Sequence, residues 1–178
     1  FFFKHPPKLP LDDESAVMQE TIEGILSQHG YEHYETSAFA KPKSQCQHNL
    51  NYWQFGDYLG IGAGAHSKLT FHDKMIRESR YKNPKQYMEH IKMQNMIESE
   101  TIIHENDLVF EFMMNHLRLI DGFSIQSFEE KTGLNISSIN KELKTAIDKK
   151  LITKDHEMIK PTLLGQRFLN DLLSIFLK

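Results

Sequence analysis

The sequence predicts a mixed α+β fold in two parts, and the second part resembles a winged helix. Up to about residue 104, short runs of alternating aromatic and small residues are typical of strands, and helical patterns lie between them. Beyond residue 104, helical runs and short turns follow in the order helix, helix, helix, hairpin, helix. The 178 residues are 39% hydrophobic, which is enough for a packed core. We therefore predict one domain at 1–104 and a second at 105–178.

The first part is predicted to contain two helices, two strands and a hairpin. Asp12 or Asp13 caps a helix that Gly30 ends, and residues 31–40 and 57–66 are each expected to form one strand. Residues 67–80 are expected to form a hairpin with its turn at 72–74, and Asn83 caps a helix that starts at Pro84. The first helix places its apolar residues on one face: Val17, Met18, Ile22, Ile25 and Leu26.

The second part is predicted to consist of helices around one small hairpin. Helices are expected at 108–120, at 124–132 and from Ser137 to about residue 150, and glycines end the first two. A hairpin follows at 151–159, and Thr162 caps a final helix at 163–177. Five residues of this helix are expected to pack inward: Leu164, Phe168, Leu172, Leu173 and Phe176.

Composition excludes several classes of protein. No apolar run has the length of a membrane helix, and the opening FFFKHPPKLP lacks the features of a signal peptide, so we expect a protein that is not integral to a membrane. The opening is typical of the middle of a loop, which predicts that the chain is part of a longer one. Cys46 is the only cysteine, which excludes an internal disulfide and indicates the reducing cytoplasm.

The winged-helix order allows a DNA-binding interpretation, with residues 137–150 in the major groove. From Glu105 onward, however, 10 lysines or arginines stand against 11 acidic residues, and the whole chain has a net charge of −3. A surface that binds phosphates normally has a basic excess. We therefore expect packing or protein contacts from this domain, and no nucleic acid as a partner.

A glycine cluster at Gly60, Gly62 and Gly64 fits the dinucleotide spacing G-x-G-x-x-A formally. That fingerprint must open a helix, whereas the residues that follow here are predicted to form a hairpin. The cluster instead indicates a strand whose missing side chains let another backbone or a flat ligand come close. His66 follows and faces a cavity in one interpretation; in the other it is an ordinary hydrogen-bonded strand residue.

The densest group of candidate site residues is the segment HNLNYW, with His48, Asn49, Tyr52 and the only tryptophan, Trp53. In a helical turn His48 lies above Tyr52, and Asn49 above Trp53. Imidazole is a ligand of haem iron, and aromatic rings offer flat apolar walls to a porphyrin. The alternative is a hydrogen-bonded histidine and asparagine with two buried aromatic anchors. Cys46 is a lesser candidate.

Several stretches resemble the C-terminal half of radical S-adenosylmethionine proteins of the oxygen-independent coproporphyrinogen III oxidase group. They are PPKLP, YEHYETSAFAKP, QCQHNLNYWQFGDYLGIGAGAHSKLTF and TLLGQRFLNDLL. The HNxxYW pattern is similar to the branch of haem chaperones. The resemblance implies that residues 1–104 are the last part of a partial α/β barrel. It also implies that the missing part holds a [4Fe–4S] cluster on a CxxxCxxC loop, with S-adenosylmethionine.

The resemblance implies a haem chaperone that binds haem and transfers it to acceptor proteins, with an oxidase that decarboxylates coproporphyrinogen III as the alternative. His48 would be the haem contact and possible iron ligand, and Asn49, Tyr52 and Trp53 would shape its pocket. Gly62, Gly64 and His66 would line the cavity for cofactor or substrate. One thiol cannot hold an iron–sulfur cluster, so the chain alone is not expected to be catalytic. We also expect it to self-associate through exposed apolar surface.

Overall fold

Eight α-helices, eight β-strands and one 3₁₀ turn are found in a computed structural model that describes residues 5–177, with residue 106 described by its backbone only. They belong to two units, Phe1–Cys46 and Gln47–Lys178. The mixed α and β composition confirms the predicted fold class. The first four residues of the predicted opening loop lie outside the described part of the chain.

The first unit begins with helix α1 (Asp12–Gln28), which the sequence predicted. The predicted aspartate cap is wrong by one position, since Leu11 is the N-cap and its N–H donates to the Glu14 carboxylate at 2.8 Å. Gly30 ends the helix with a φ of 72°, in the left-handed region that glycine tolerates. No residue of α1 is buried within the described unit, and Val17 of the apolar face is 62% exposed.

A hairpin of β1 (Glu32–Glu35) and β2 (Ala38–Ala40) follows α1. The single strand predicted at 31–40 is therefore wrong, because the chain turns at Thr36 and Ser37. The Ser37 hydroxyl donates to the Glu35 carboxylate at 3.0 Å across this turn. Serine favours turns because its hydroxyl bonds locally in this way.

The second unit opens with helix α2 (Gln47–Trp53) and an antiparallel sheet in the order β3-β4-β5. The hairpin of β3 (His66–Thr70) and β4 (Met75–Arg80) is confirmed. Helix α3 (Pro84–Lys92) is confirmed with its cap, since Asn83 accepts from the N–H of Lys85 at 2.9 Å. The sequence analysis missed β5 (Ile97–Ile102), an edge strand whose mostly exposed residues show no alternating hydrophobic pattern.

The strand predicted at 57–66 is wrong, because the glycine-rich segment is a loop. Tyr58 is joined to Lys68 of β3 by an isolated bridge, with both N–H to O distances at 3.0 Å. Further along, Gly62 and Gly64 have φ values of 109° and 73°, which a strand does not allow. The loop leads into β3 of the predicted hairpin and not into the helix that a dinucleotide fingerprint opens.

The remaining chain has the predicted winged-helix order. Its helices are α4 (Glu105–His116), α5 (Ile125–Thr132), α6 (Asn140–Asp148), α7 (Leu163–Arg167) and α8 (Leu169–Ser174). Its strands are β6 (Phe123–Ser124), β7 (Ile152–Lys154) and β8 (Met158–Pro161), which form a sheet in the order β6-β8-β7. The caps at Ser124 and Thr162 are present, and Gly133 ends α5 in the left-handed conformation.

Two helix predictions in this region need correction. The third helix starts with a 3₁₀ turn (Ile136–Ile139) whose cap is Asn135 and not Ser137, because the Asn135 side chain accepts from the Ser137 N–H at 3.0 Å. The final helix breaks at Phe168, where ψ is 45°. This break leaves Leu164 and Phe168 exposed by 43% and 52%, so neither packs inward as predicted. Leu172 and Phe176 are buried as expected.

The core of the second unit is centred on Phe112 of α4, which is 0% exposed. Its ring centroid lies 5.0 Å from that of Phe123, 5.2 Å from that of Phe128 and 5.8 Å from that of Phe55. Phe55 and Met75 precede residue 104 and belong to the same apolar cluster as the helices. The domain boundary predicted at 104 and 105 stays a prediction. Among the described helices, none combines the length and the apolar character needed to cross a membrane.

His116 packs within this core, and we expect it to make stability depend on pH. Its ring stacks on Phe112 with centroids 3.8 Å apart, and burial together with nearby Lys131 lowers the pKa of His116 to about 3. Because the unfolded chain binds a proton near pH 6.5 and the native chain does not, stability falls as pH drops from about 6.5 towards 3. Between pH 7 and 5 this loss amounts to about 2 kcal/mol.

Urea unfolding at pH 7 and pH 5 measures this effect. His116→Phe retains an aromatic ring against Phe112 and should remove that part of the pH dependence. The control His72→Phe changes an exposed histidine in the β3–β4 turn and should leave the pH dependence as it is. An equal loss of stability in the wild type and in His116→Phe would contradict a neutral buried imidazole.

Candidate functional site

A row of aromatic rings starts on the exposed side of α2. HNLNYW lies in helix α2, so the condition set in the sequence analysis is met, and His48 lies over Tyr52 with ring centroids 4.9 Å apart in an edge-to-face arrangement. The Tyr52 ring in turn contacts Tyr58, at 4.5 Å between centroids. His48 is exposed, and Tyr52 is half-buried. The imidazole is therefore accessible to a ligand while an aromatic neighbour restricts its movement.

An ion pair fixes the far end of this row. The Arg77 guanidinium of β4 donates to Tyr58 Oη at 3.3 Å and to both carboxylate oxygens of Glu111, at 3.2 and 2.7 Å. Hydrogen bonding to Glu111 raises the pKa of Arg77, against an opposing effect of burial. Such a bidentate pair fixes geometry as well as adding energy. The pair thus joins β4 to α4 and orients the tyrosine on which Tyr52 rests.

A buried lysine holds the turn that follows α2. Lys68 Nζ donates to the Phe55 carbonyl and to Asp57 Oδ1, both at 3.1 Å, and lies 4.2 Å from the centre of the Phe55 ring. Burial lowers the pKa of Lys68, although Asp57 opposes this. Burial acts to raise the pKa of Asp57, but hydrogen bonds from Thr70 and Lys68 hold it below its usual value. The ion pair anchors the turn after α2 to β3.

Trp53 lies beside a different cavity. The Arg118 guanidinium, in the turn after α4, sits 4.3 Å from the centre of its ring, a cation–π arrangement. Trp53 Nε1 is buried and has no hydrogen-bond partner among the described residues, which costs about 1–3 kcal/mol. An acceptor supplied by a ligand would relieve that cost. Asn49 is half-buried one helical turn before Trp53.

Gly62, Gly64 and His66 form the second group of predicted site residues. They lie in the loop before β3 and at its first residue, and not on α2. The Gly62 N–H donates to Tyr87 Oη at 3.2 Å, and the Gly64 N–H donates to the Tyr81 carbonyl at 2.9 Å. His66 is exposed at the start of β3. The close backbone approach expected at the glycines is found at Gly60, where a Cβ would lie 2.2 Å from the His66 carbonyl oxygen. The glycine loop is thus packed on β3 and α3, and its role in a ligand cavity stays a prediction.

Comparisons with known proteins identify the family of this chain. Residues 103–168 match the HemN C-terminal domain. The chain is 42% identical to the heme chaperone HemW of Haemophilus influenzae, over 99% of this chain and 45% of that protein. It is 41% identical to the heme chaperone HemW of Escherichia coli, over 99% of this chain and 46% of that protein. The chain belongs to the coproporphyrinogen III oxidase-like (HemN) family. It spans slightly less than half the length of these relatives.

The fold of this HemN family member is also found in a solved structure. The coproporphyrinogen III oxidase HemN of Escherichia coli, described as a radical SAM enzyme, superposes with a TM-score of 0.65. The match covers 94% of this chain and 42% of that enzyme, at 20% sequence identity. At this identity the likeness shows the fold alone.

The iron–sulfur cluster that the HemN family implies does not fit the residues of this chain. A [4Fe–4S] cluster is held by cysteine thiolates, and Cys46 is the only one available. Among the described residues, no group of three or more histidines, cysteines or carboxylates is placed to hold a metal ion. Haem needs fewer protein ligands than this cluster, because a single imidazole can bind its iron. His48 offers one exposed imidazole.

Sequence reasoning missed the residues that support the α2 site in this HemN family member. Lys68, Arg77 and Glu111 were not considered, and Arg118 entered only the count of basic residues. No spacing rule connects these side chains to HNLNYW, because they come from β3, β4, α4 and the turn after α4. A charged residue within an apolar run, such as Arg118 in NHLRLI, was the one local signal.

Proposed function

We propose that the intact protein is a haem chaperone of the cytoplasm, which binds haem through α2 and transfers it to acceptor proteins. The observation that supports this most strongly is the exposed imidazole of His48 held against Tyr52 on the HNxxYW helix. The relatives that cover nearly all of this chain are named heme chaperones. S-adenosylmethionine and a [4Fe–4S] cluster would belong to parts of the intact protein that this chain does not include.

The side chains of the α2 site suit a protein that binds haem and later releases it to an acceptor. His48 would hold the iron through an imidazole nitrogen, and the Tyr52 ring beside it would restrict the rotation of the imidazole. The rings of Tyr52 and Trp53 give apolar surface next to the metal ligand, while Asn49 offers a hydrogen bond. Because His48 is exposed, an acceptor protein can reach haem bound there.

Titration of the intact protein with haem tests this proposal. We expect stoichiometric binding with the Soret spectrum of a histidine-ligated haem, and an affinity at least about tenfold lower in His48→Ala, since loss of the metal ligand removes more than 1.4 kcal/mol. His72→Ala, at an exposed position in the β3–β4 turn, is the matched control and should bind like the wild type.

An assay of coproporphyrinogen III turnover completes the test. A chaperone forms no protoporphyrinogen under reducing conditions with S-adenosylmethionine. Turnover by the reconstituted intact protein would make the oxidase the correct function. Haem affinity that is equal in His48→Ala and wild type would remove α2 as the haem site.

A further inference from the structure

A cavity of about 350 Å³ lies beside the end of α4 and one face of α5. Its apolar lining residues are Leu119, Phe123 and Met158. Its lining residues with polar side chains are Gln54, His116, Ser124, Ser127 and Lys131. Cavities of roughly 300–1,000 Å³ with apolar walls and a few polar groups are typical of sites for small ligands. The size and the lining of this cavity fit such a site.

His116 offers this cavity a hydrogen-bond acceptor. Its Nδ1 lies 3.3 Å from the Phe112 carbonyl oxygen, and because a carbonyl only accepts, Nδ1 carries the ring proton. Burial, together with nearby Lys131, lowers the pKa of His116 to about 3, so the ring is neutral and Nε2 keeps its lone pair. No described residue donates to Nε2, although the side chain is only 2% exposed. A buried acceptor of this kind favours a ligand that brings a donor.

Lys131 and two serines give the same cavity hydrogen-bond donors. Lys131 Nζ donates to the Gln54 carbonyl, which uses one of the three N–H bonds of an ammonium. Ser124 Oγ accepts from the Ser127 N–H at 3.0 Å, and its own proton is left to donate. The lining residues, all within the described part of the chain, include no aspartate or glutamate. These donors favour a carboxylate as part of the ligand.

The donors and the acceptor require different parts of one ligand. A carboxylate can pair with Lys131 and the serine hydroxyls, but at neutral pH it has no proton for His116 Nε2. A ligand hydroxyl supplies that proton, whereas a ligand ammonium would bring a second positive charge close to Lys131. The ligand that satisfies both is an acid with a hydroxyl group.

We propose that this cavity binds a small hydroxy acid with an apolar substituent. Its carboxylate pairs with Lys131, its hydroxyl donates to His116 Nε2, and its apolar group packs against Phe123 and Met158. His116 then determines specificity, because it selects acids that carry a hydroxyl. The cavity uses neither His48 nor iron, so its failure would leave the proposed function intact.

Isothermal titration calorimetry of the intact protein at neutral pH tests this site. The probes are 3-phenyllactate, 3-phenylpropionate, which lacks the hydroxyl, and the methyl ester of 3-phenyllactate, which lacks the charge. We expect 3-phenyllactate to bind about tenfold more tightly than either analogue, because each analogue leaves one polar group of the cavity unpaired. His116→Phe should abolish the preference for the hydroxyl, and Lys131→Gln should abolish the preference for the charge.

Lys144→Gln is the matched control, since Lys144 is exposed on α6 and does not line the cavity. It should bind 3-phenyllactate like the wild type. Unchanged thermal unfolding of each variant ensures that a lost preference is not lost folding. Equal binding of 3-phenyllactate and 3-phenylpropionate by the wild type, or binding of neither, would overturn the proposal. A hydroxyl preference that persists in His116→Phe would overturn it as well.

Nuclear magnetic resonance of the wild type gives a test that does not depend on how well His116→Phe folds. With nitrogen-15 in the histidines, His116 Nε2 gives the signal of a nitrogen without a proton, and this signal stays constant in mild acid because its pKa is about 3. Addition of 3-phenyllactate should shift this signal, and 3-phenylpropionate should leave it in place. Binding of 3-phenyllactate without any shift would reject His116 as the acceptor and overturn the proposal.

Discussion

Replacement of Phe112 by alanine is expected to lower the free energy of unfolding by about 3–5 kcal/mol. Phe112 is 0% exposed and touches the rings of Phe55, His116, Phe123 and Phe128. Removal of the ring loses the transfer free energy of its carbons and leaves a cavity that four rigid neighbours cannot fill. Urea unfolding followed by circular dichroism measures the loss.

Tryptophan fluorescence adds a structural readout to this experiment. Trp53 lies on α2, and Phe55 connects the end of that helix to Phe112. We therefore expect the transition seen by fluorescence to shift together with the transition of the C-terminal helices. Phe168→Ala, at a position that is 52% exposed, is the control and should cost less than about 1 kcal/mol. Two separate transitions would show that residues on either side of 104 fold independently.

Substitution of Gly122 by alanine is expected to have the second largest effect, roughly 3 kcal/mol. Gly122 has a φ of 64°, which disfavours any residue with a Cβ. A Cβ there would lie 2.0 Å from the backbone oxygen of Ile159, and backbone cannot move aside as a flexible side chain does. Alanine would therefore force the chain before β6 away from β8. Thermal and urea unfolding provide the measurement.

Gly133→Ala separates the two causes of the loss expected at Gly122, which are the positive φ and the close approach to Ile159. Gly133 has a nearly identical φ of 70°, but a Cβ there meets nothing within 4 Å. It should cost only the conformational penalty of about 1 kcal/mol. If both variants lost the same stability, the close approach of Gly122 to Ile159 would contribute nothing, and the packing of β6 on β8 would need revision.

The sequence predicted those elements whose ends are set by local chemistry. Asn83 caps α3, Ser124 caps α5 and Gly133 ends it, each through bonds within a few residues. The β3–β4 hairpin was also predictable, because its turn and its two strands are adjacent. Among the predictions that failed, the strand at 57–66 and the unbroken final helix depended on distant contacts or on a break in the helix. The glycine loop is shaped by bonds to distant partners such as Tyr87, and the last helix breaks at Phe168.

The residues of the candidate site also fall into two groups, those that local spacing predicts and those that only the tertiary structure brings together. His48 and Tyr52 were found from their spacing, because residues four apart share one face of a helix wherever that helix lies. The family, too, could be recognised from consecutive letters, and the comparisons confirmed it.

What the sequence determined by itself is that His48 and Tyr52 share a face if HNLNYW is helical, and that the chain has too few thiolates for an iron–sulfur cluster. Tertiary structure alone decided that Arg77 and Glu111 support Tyr58, and that Arg118 covers Trp53 beside a cavity. Spacing rules describe neighbours within one element, whereas these contacts join β4 to α4 and α2 to the turn after α4. They form because burial of Phe55 and Phe112 in one core brings those elements together.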